Sequence, residues 1–422
     1  MQRILFLMPT TTYRASAFLA AAAKLRIEAV VGSDRRQALE ALAPGRTLTV
    51  DFHNLQAARQ SIIDFAQKVP IQSIIPVDED TAVLAAVAAQ ALNLPHNSVD
   101  SALASKEKHR LREILSKTEL LSPSFQLIAV AENPREFAEA LPYPCVVKPD
   151  FLSASRGVIR VDDGQQFIEA FGRIKKILLE PEVQKKGGEL AQHVLVESYI
   201  PGREVALEGI LTDGSLKVLA IFDKPDPLVG PYFEETIYVT PSRLSPEEQD
   251  NVARTVSQAA AAVGIQHGAV HAELRLNAQG AWIIEIAARS IGGLCSRALR
   301  FRPDLTLEEV ILKHAIGLNI SSIQREESAS GVMMIPMPGA GILKEVRNIA
   351  SARQVNGVED IRITVPLGQT VVPLPEGHRY LGFIFAKNET PQLVEEAISE
   401  AHRKLEFVIA AQPGELALRE GE

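Results

Sequence analysis

HAELRLNAQGAWIIEIAAR, residues 271–289, alternates in two runs around a polar middle. His271, Glu273 and Arg275 share one face of the first run, and Ala272, Leu274 and Leu276 the other. In the second run Trp282, Ile284 and Ile286 oppose Ile283, Glu285 and Ala287. The pattern is that of a β-hairpin. A three-residue loop, Ala278 to Gly280, pairs Asn277 with Ala281 and sets Glu273 opposite Glu285. A two- or four-residue loop shifts the register and parts them. Like charges directly opposed repel, so the pair is either a tolerated clash on a half-solvated hairpin or one half of a divalent-cation site. In the second case phosphate oxygens complete an all-oxygen shell. This stretch alone leaves both readings open.

Bulk properties narrow the choice. At 422 residues the chain exceeds one compact core, so two or three domains are expected. A hydrophobic content of 46% with 23% charged residues fits a globular protein in water. The net charge of −8 argues against nucleic acid as a general partner, though not against a small anion in a local pocket. Two cysteines, Cys145 and Cys295, give no disulfide framework. The apolar run Ile4–Met8 stops at Pro9, too short for a signal core, and no apolar stretch reaches membrane-spanning length without a polar interruption. The expectation is a cytoplasmic protein with no membrane partner.

Working outward from the hairpin, the helix SPEEQDNVARTVSQAAAAV precedes it, with Ser245 as cap and Pro246 at its first position. Before that, HVLVESYIPGREVALEGILTDGSLKVLAIFDK reads as three strands turning at Pro201-Gly202 and Asp213-Gly214. Residues 1–100 alternate apolar runs (ILFLM, EAVVG, SIIPV) with helical patterns, as a parallel sheet with helices on its faces does. They carry no G-x-G-x-x-G fingerprint, so a dinucleotide site and a dehydrogenase are disfavoured. Residues 101–117 read as one polar amphipathic helix, and NPREFAEAL as a further helix. QREESASG marks a boundary near 325–330. The last ninety residues are strand-rich and close on the helix PQLVEEAISEAHRKL. The expected domains are 1–100, 101–325 and 326–422, α/β first and α+β beyond.

Lys148 ends the apolar strand CVVKP and is followed by the small-residue loop Ser153-Ala154-Ser155-Arg156-Gly157. Backbone N–H groups of such a loop can cradle phosphate, and a lysine adds a point charge. A solvated strand end is the plain alternative. Taken in order, VVKP, SASRGV, LVESYIPGREVALEG, HAELRL and IIEIAARSIGG resemble the ATP-grasp superfamily. Within it they are most similar to carboxylate–amine ligases of the L-amino-acid ligase type, over residues 70 to 320. The resemblance implies a pre-ATP-grasp α/β domain, a two-part ATP-grasp domain and a C-terminal α+β domain.

It also implies roles. Lys148 would meet the ATP phosphates together with Lys108, for which Lys106 competes. Ser153, Ser155 and Gly157 would close over the phosphates. Glu197, Tyr199 and Ile200 would border the adenine, and Glu204 the ribose. Glu273 and Glu285 would hold magnesium, with manganese as a substitute. Arg289 would bind the transferred phosphate or the acyl-phosphate. Many family members carry asparagine where this chain has Ala287, which puts a second metal in doubt. His271 is either a neighbour of the metal carboxylates or a packed histidine. The irregular segment DKPDPLVGPYFEETIYVTPS, with Glu234 and Glu235, is a candidate for substrate recognition. The implied reaction activates a carboxylate as an acyl-phosphate and joins it to an amine, with a homodimer as a candidate assembly. Its rivals are a carboxylase working through carboxyphosphate and a silent ATP-binding scaffold.

Overall fold

The computed structural model describes residues 2–36 and 45–411. Arg3–Leu7 pairs in parallel with Glu28–Ser33 and Ser73–Pro76, and Thr47–Thr49 adds a fourth parallel strand. The helices Ala15–Lys24 and Leu55–Lys68 connect these strands, and Ala82–Ala91 follows the last of them. Ile4, Leu5, Phe6 and Leu7 are fully buried, as a strand covered on both faces requires.

Two further sheets carry the middle of the chain. One is antiparallel, in the order Phe125–Ala129, His193–Ser198, Cys145–Pro149, Ile159–Val161. Helix Gly164–Leu178 covers it with Phe167, Phe171 and Ile174. The other has eight strands. It begins with the glutamate hairpin Gly280–Ala287 and Gly268–Asn277, and continues through Arg203–Thr212, Ser215–Asp223, Ile237–Thr240, Ala329–Ile335, Gly382–Asn388 and Val358–Ile363. Ile237–Thr240 and Ala329–Ile335 pair directly, so hydrogen bonding runs across residue 325 without a break. Helix Pro246–Val263 starts as expected: Ser245 and Glu248 form a reciprocal capping box, and Gly264 ends the helix in the left-handed region at φ 85°. At the Pro201-Gly202 turn, Gly202 has φ 133°, and a Cβ there would lie 2.2 Å from the Leu276 carbonyl oxygen. Among the described residues no helix is long and apolar enough to cross a membrane.

Three local expectations change. Residues 101–117 are two helices, Val99–Lys106 and Lys108–Leu115, broken at Glu107, which is extended at φ −95°, ψ 105°. Asp150 causes the break: its carbonyl accepts from Lys108 N, and its carboxylate accepts from His109 N at 2.7 Å, so the second helix starts afresh against it. NPREFAEAL makes a single turn, Arg135–Ala138. The hairpin loop has two residues, with Asn277 opposite Gly280 and Leu274 opposite Ile283. Yet Glu273 still faces Glu285, because an extra residue, Ile284, is bulged into the second strand. The bulge also reverses the expected facing of Ile283, which joins Ile286 in the core beneath the sheet.

A bulge leaves backbone groups outside the ladder, and Arg112 serves two of them. Its guanidinium, wholly buried, donates to the Ile284 carbonyl at 2.6 Å and the Ile283 carbonyl at 3.4 Å. Its Nε donates to Glu197 on the neighbouring sheet at 2.8 Å. One side chain thus joins the bulge to the strand His193–Ser198. Arg112→Met leaves two buried carbonyls and one oxygen of the buried Glu197 carboxylate without a donor, with Lys148 as that carboxylate's remaining cation, so it should cost about 3–5 kcal/mol in urea unfolding. A loss below about 1 kcal/mol would show that the link carries no stability.

Candidate active site

A cavity of about 400 Å³ opens where the sheets and the C-terminal segment meet. Lys148 lies on its wall at the end of its strand, only 5% exposed, with Nζ 2.6 Å from Glu197. Adjacent strands bring these two side chains together, since Val146 pairs with Glu197 and Lys148 with Leu195. Burial lowers the Lys148 pKa, and Glu197 works against that shift. Burial likewise disfavours the Glu197 anion, but Arg112 and Lys148 outweigh it and hold the pKa below its usual value. Lys108 starts its helix on the same wall and donates to the Leu152 carbonyl at 2.8 Å. Lys106 does not line the cavity, so of the two lysines only Lys108 stands at the site.

Ser153 and Ser155 line the cavity, and Ala154 and Ser155 take left-handed backbone at φ 56° and 54°. Gly157 does not line it. Its N–H donates to the Pro375 carbonyl at 2.8 Å, and a Cβ would lie 2.8 Å from the Pro149 ring. This glycine shapes the loop and offers no free donor. Tyr199 and Ile200 stand on the wall as expected, with Phe233 stacked on Tyr199 at 6.3 Å and the Arg160 guanidinium 4.3 Å from the Tyr199 ring.

The acidic wall is built around Lys224. Its ammonium is 2.7 Å from Glu204, 3.2 Å from Glu273 and paired also with Glu235. These three carboxylates lie close enough together to hold a metal ion, but the ammonium already bonds all three. Burial opposes charge on Lys224, yet the three anions raise its pKa well above normal. Burial and then the Glu273 charge push Glu235 up to about 7. Glu204, expected at a ribose, also accepts from Arg275 Nε at 2.9 Å. His271 stands between carboxylates, Nδ1 3.1 Å from Glu208 and Nε2 3.4 Å from Glu273. Burial disfavours its cation, but these partners raise it to about 9. Glu273, despite burial, is held well below the normal carboxylate range by Lys224 and His271.

Glu285 differs from its neighbours. It faces the cavity opposite Glu273 and, among the described residues, its carboxylate makes no hydrogen bond or ion pair. A hard cation takes carboxylate oxygens, so Glu285 with Glu273 fits magnesium better than the trio that Lys224 already neutralises. Ala287 is buried in the core and offers no ligand. Arg289 lines the cavity just past the strand end. It donates to Glu79 at 2.8 Å and to the Ser290 carbonyl at 3.0 Å. Burial opposes the cation, but Glu79 and Glu285 raise its pKa.

Four residues at the site, Lys224, Arg112, Glu79 and Arg379 (the last also on the cavity wall), are absent from the set expected from the sequence. Lys224 had a signal: FDKP repeats the lysine–proline strand end of VVKP. Glu79 and Arg379 come from opposite ends of the chain and carry no local signal.

Residues 141–298 match the ATP-grasp domain family, and residues 333–410 match the L-amino acid ligase C-terminal domain 2. The alanine–anticapsin ligase of Bacillus subtilis is 27% identical over 247 residues, 55% of this chain and 51% of the relative. Carnosine synthase 1 of Gallus gallus is 28% identical over 250 residues, 57% of this chain and 27% of the relative. The chain therefore spans about half the length of the first of these relatives and about a quarter of the second. An L-amino acid ligase structure from Bacillus licheniformis superposes with a TM-score of 0.82 at 23% identity, over 97% of this chain and 99% of that one. The mixed α/β fold is thus the ATP-grasp architecture, and the chain carries an ATP-grasp domain followed by an L-amino acid ligase C-terminal domain.

Proposed function

We propose that this protein is an ATP-dependent ligase that activates the carboxylate of an amino acid as an acyl-phosphate and joins it to an amine, releasing ADP and phosphate. One observation carries the reading: an unpartnered carboxylate, Glu285, opposes Glu273 in a cavity that Lys108, Lys148 and Arg289 also line. The two domain matches and the kinship with amino-acid ligases support it. In this reading residues 1–100 and 326–422 close the substrate end of a site housed in 101–325.

The chemistry divides into two displacements. A carboxylate oxygen attacks the γ-phosphorus of ATP, and the bond to the ADP oxygen breaks. The amine nitrogen then attacks the acyl carbon, loses a proton, and expels phosphate. Catalysis of this kind is mostly positioning and charge neutralisation. Lys108 and Lys148 hold the phosphates, and Ser153 and Ser155 lie in the loop that covers them. Tyr199, Ile200 and Phe233 form the apolar wall for the base. Arg289, fixed by Glu79, presents its guanidinium to the group becoming an acyl-phosphate. Lys224 and His271 keep Glu273 ionised. Magnesium, when bound between Glu273 and Glu285, would supply charge screening for the phosphates.

The direct test is ADP release across single and paired amino acids, with products identified by mass. Amine-dependent release with an amide product is expected. Release that follows bicarbonate instead would replace the ligase reading with a carboxylase. Glu285→Gln keeps the shape and removes the charge, so kcat should fall about 100-fold or more with the unfolding midpoint unchanged. Near-normal turnover would remove Glu285 from the metal site. Lys108→Ala should raise the KM for ATP about 10-fold, while Lys106→Ala leaves it unchanged. The reverse pattern would reassign the phosphate lysine.

A further inference from the structure

The C-terminal segment 373–380 is clamped onto the loop 153–157. Gly157 N donates to Pro375 O, Arg156 Nε donates to the Glu376 carbonyl at 2.8 Å, and Arg173 grips the Glu376 carboxylate with two bonds of 2.9 Å. At its far end Leu381 N donates to Ile335 O, joining the segment to the large sheet. Held at both ends, the segment brings Arg379 and Tyr380 onto the cavity wall.

Arg379 is unlike the other lysines and arginines on that wall. Arg14 donates to Val77 O and Ser290 Oγ, Lys108 to Leu152 O, and Lys148, Arg275 and Arg289 pair with carboxylates. Among the described residues Arg379 has no hydrogen bond or ion pair, and it is exposed. Beside it lies an aromatic group: Tyr380 and Tyr13 each sit edge-on to Phe383 at 6.3 Å.

A ligase that joins two amino acids has a particular difficulty. Two carboxylates enter the site and only one is to be phosphorylated. The other needs a cation of its own, away from the paired groups that serve the phosphates. A guanidinium meets a carboxylate with two parallel bonds, which also fixes the orientation of the neighbouring amine.

We propose that Arg379 binds the free carboxylate of the acceptor amino acid, and that Tyr13, Tyr380 and Phe383 receive its apolar side chain. This rests on the ligase reading above. It makes the C-terminal segment part of the acceptor site. Because that segment is bonded to the loop 153–157, the acceptor anchor and the phosphate loop are mechanically one piece.

The test compares acceptor amino acids with their carboxamides in the full-length enzyme. Wild-type protein should show a KM for the free acid about 10- to 100-fold below that for the amide, the worth of one charge-assisted pair. Arg379→Ala should raise the acid's KM to that of the amide and leave the KM values for ATP and the donor unchanged. Arg379→Lys should restore part of the difference. Leucine or phenylalanine as acceptor should outperform aspartate or lysine, and Tyr13→Ala should narrow that preference. If Arg379→Ala raises the KM for ATP and spares the acceptor, the arginine serves the phosphates and the inference falls. It falls equally if the variant still distinguishes acid from amide. If wild-type enzyme joins no pair of amino acids, the ligase reading itself has failed, and this inference with it.

Discussion

The buried guanidinium of Arg112 is the interaction on which the site's geometry depends. Five N–H donors in a fixed fork require several acceptors when no water is present. Glu197 supplies two oxygens from one sheet, and the bulged carbonyls of Ile283 and Ile284 supply the rest from the other. The bulge in turn sets Glu285 opposite Glu273 despite a two-residue loop. Lys148 completes the arrangement from the far side of Glu197. The relative placement of Lys148 and of the Glu273–Glu285 pair therefore passes through one arginine. Removing Glu197 leaves two buried cations without their shared anion, and removing Arg112 leaves the bulged carbonyls and one Glu197 oxygen without a donor, so the group is cooperative.

What the sequence disclosed follows from range. The alternation of the hairpin, the Ser245 capping box, the turn at Pro201-Gly202 and the strand end at Lys148 are local patterns, and each appears where periodicity placed it. The opposition of Glu273 and Glu285 was reached with the wrong loop. The expected three-residue turn and the observed two-residue turn plus bulge insert one extra residue at different points, and both restore the same pairing. Ile283 shows the cost of that error, since its facing depends on where the extra residue sits. Residues whose partners lie far along the chain were not legible. Arg112 looked like part of a polar helix because nothing nearby announces Glu197, 85 positions on. The break at Glu107 depends on Asp150, and the burial of Lys224 on carboxylates from three separate strands or loops.

In a chain of net charge −8 the acidic wall of the cavity is offset locally. Its carboxylates are neutralised from within. Lys224 takes up Glu204, Glu235 and part of Glu273, Arg275 takes the other side of Glu204, and His271 lies between Glu208 and Glu273. Lys108, Lys148 and Arg289 face the same cavity at fixed positions. A local potential of this kind does not depend on the protein's overall charge, and the low surrounding dielectric strengthens it.

That internal neutralisation is incomplete at one carboxylate, and the incompleteness is selective. Had Glu285 been paired like its neighbours, a dication would have had to displace a bonded ammonium or guanidinium from it. Had Glu273 lacked Lys224 and His271, burial beside a second carboxylate would have favoured its protonated form, and a proton would have competed with the metal. The observed arrangement avoids both: one glutamate is kept ionised by cations behind it, and the other is left open toward the cavity. Glu273 is thus balanced by Lys224 and His271, while the Glu285 carboxylate, which feels the Arg289 charge without bonding to it, stands open on the cavity wall.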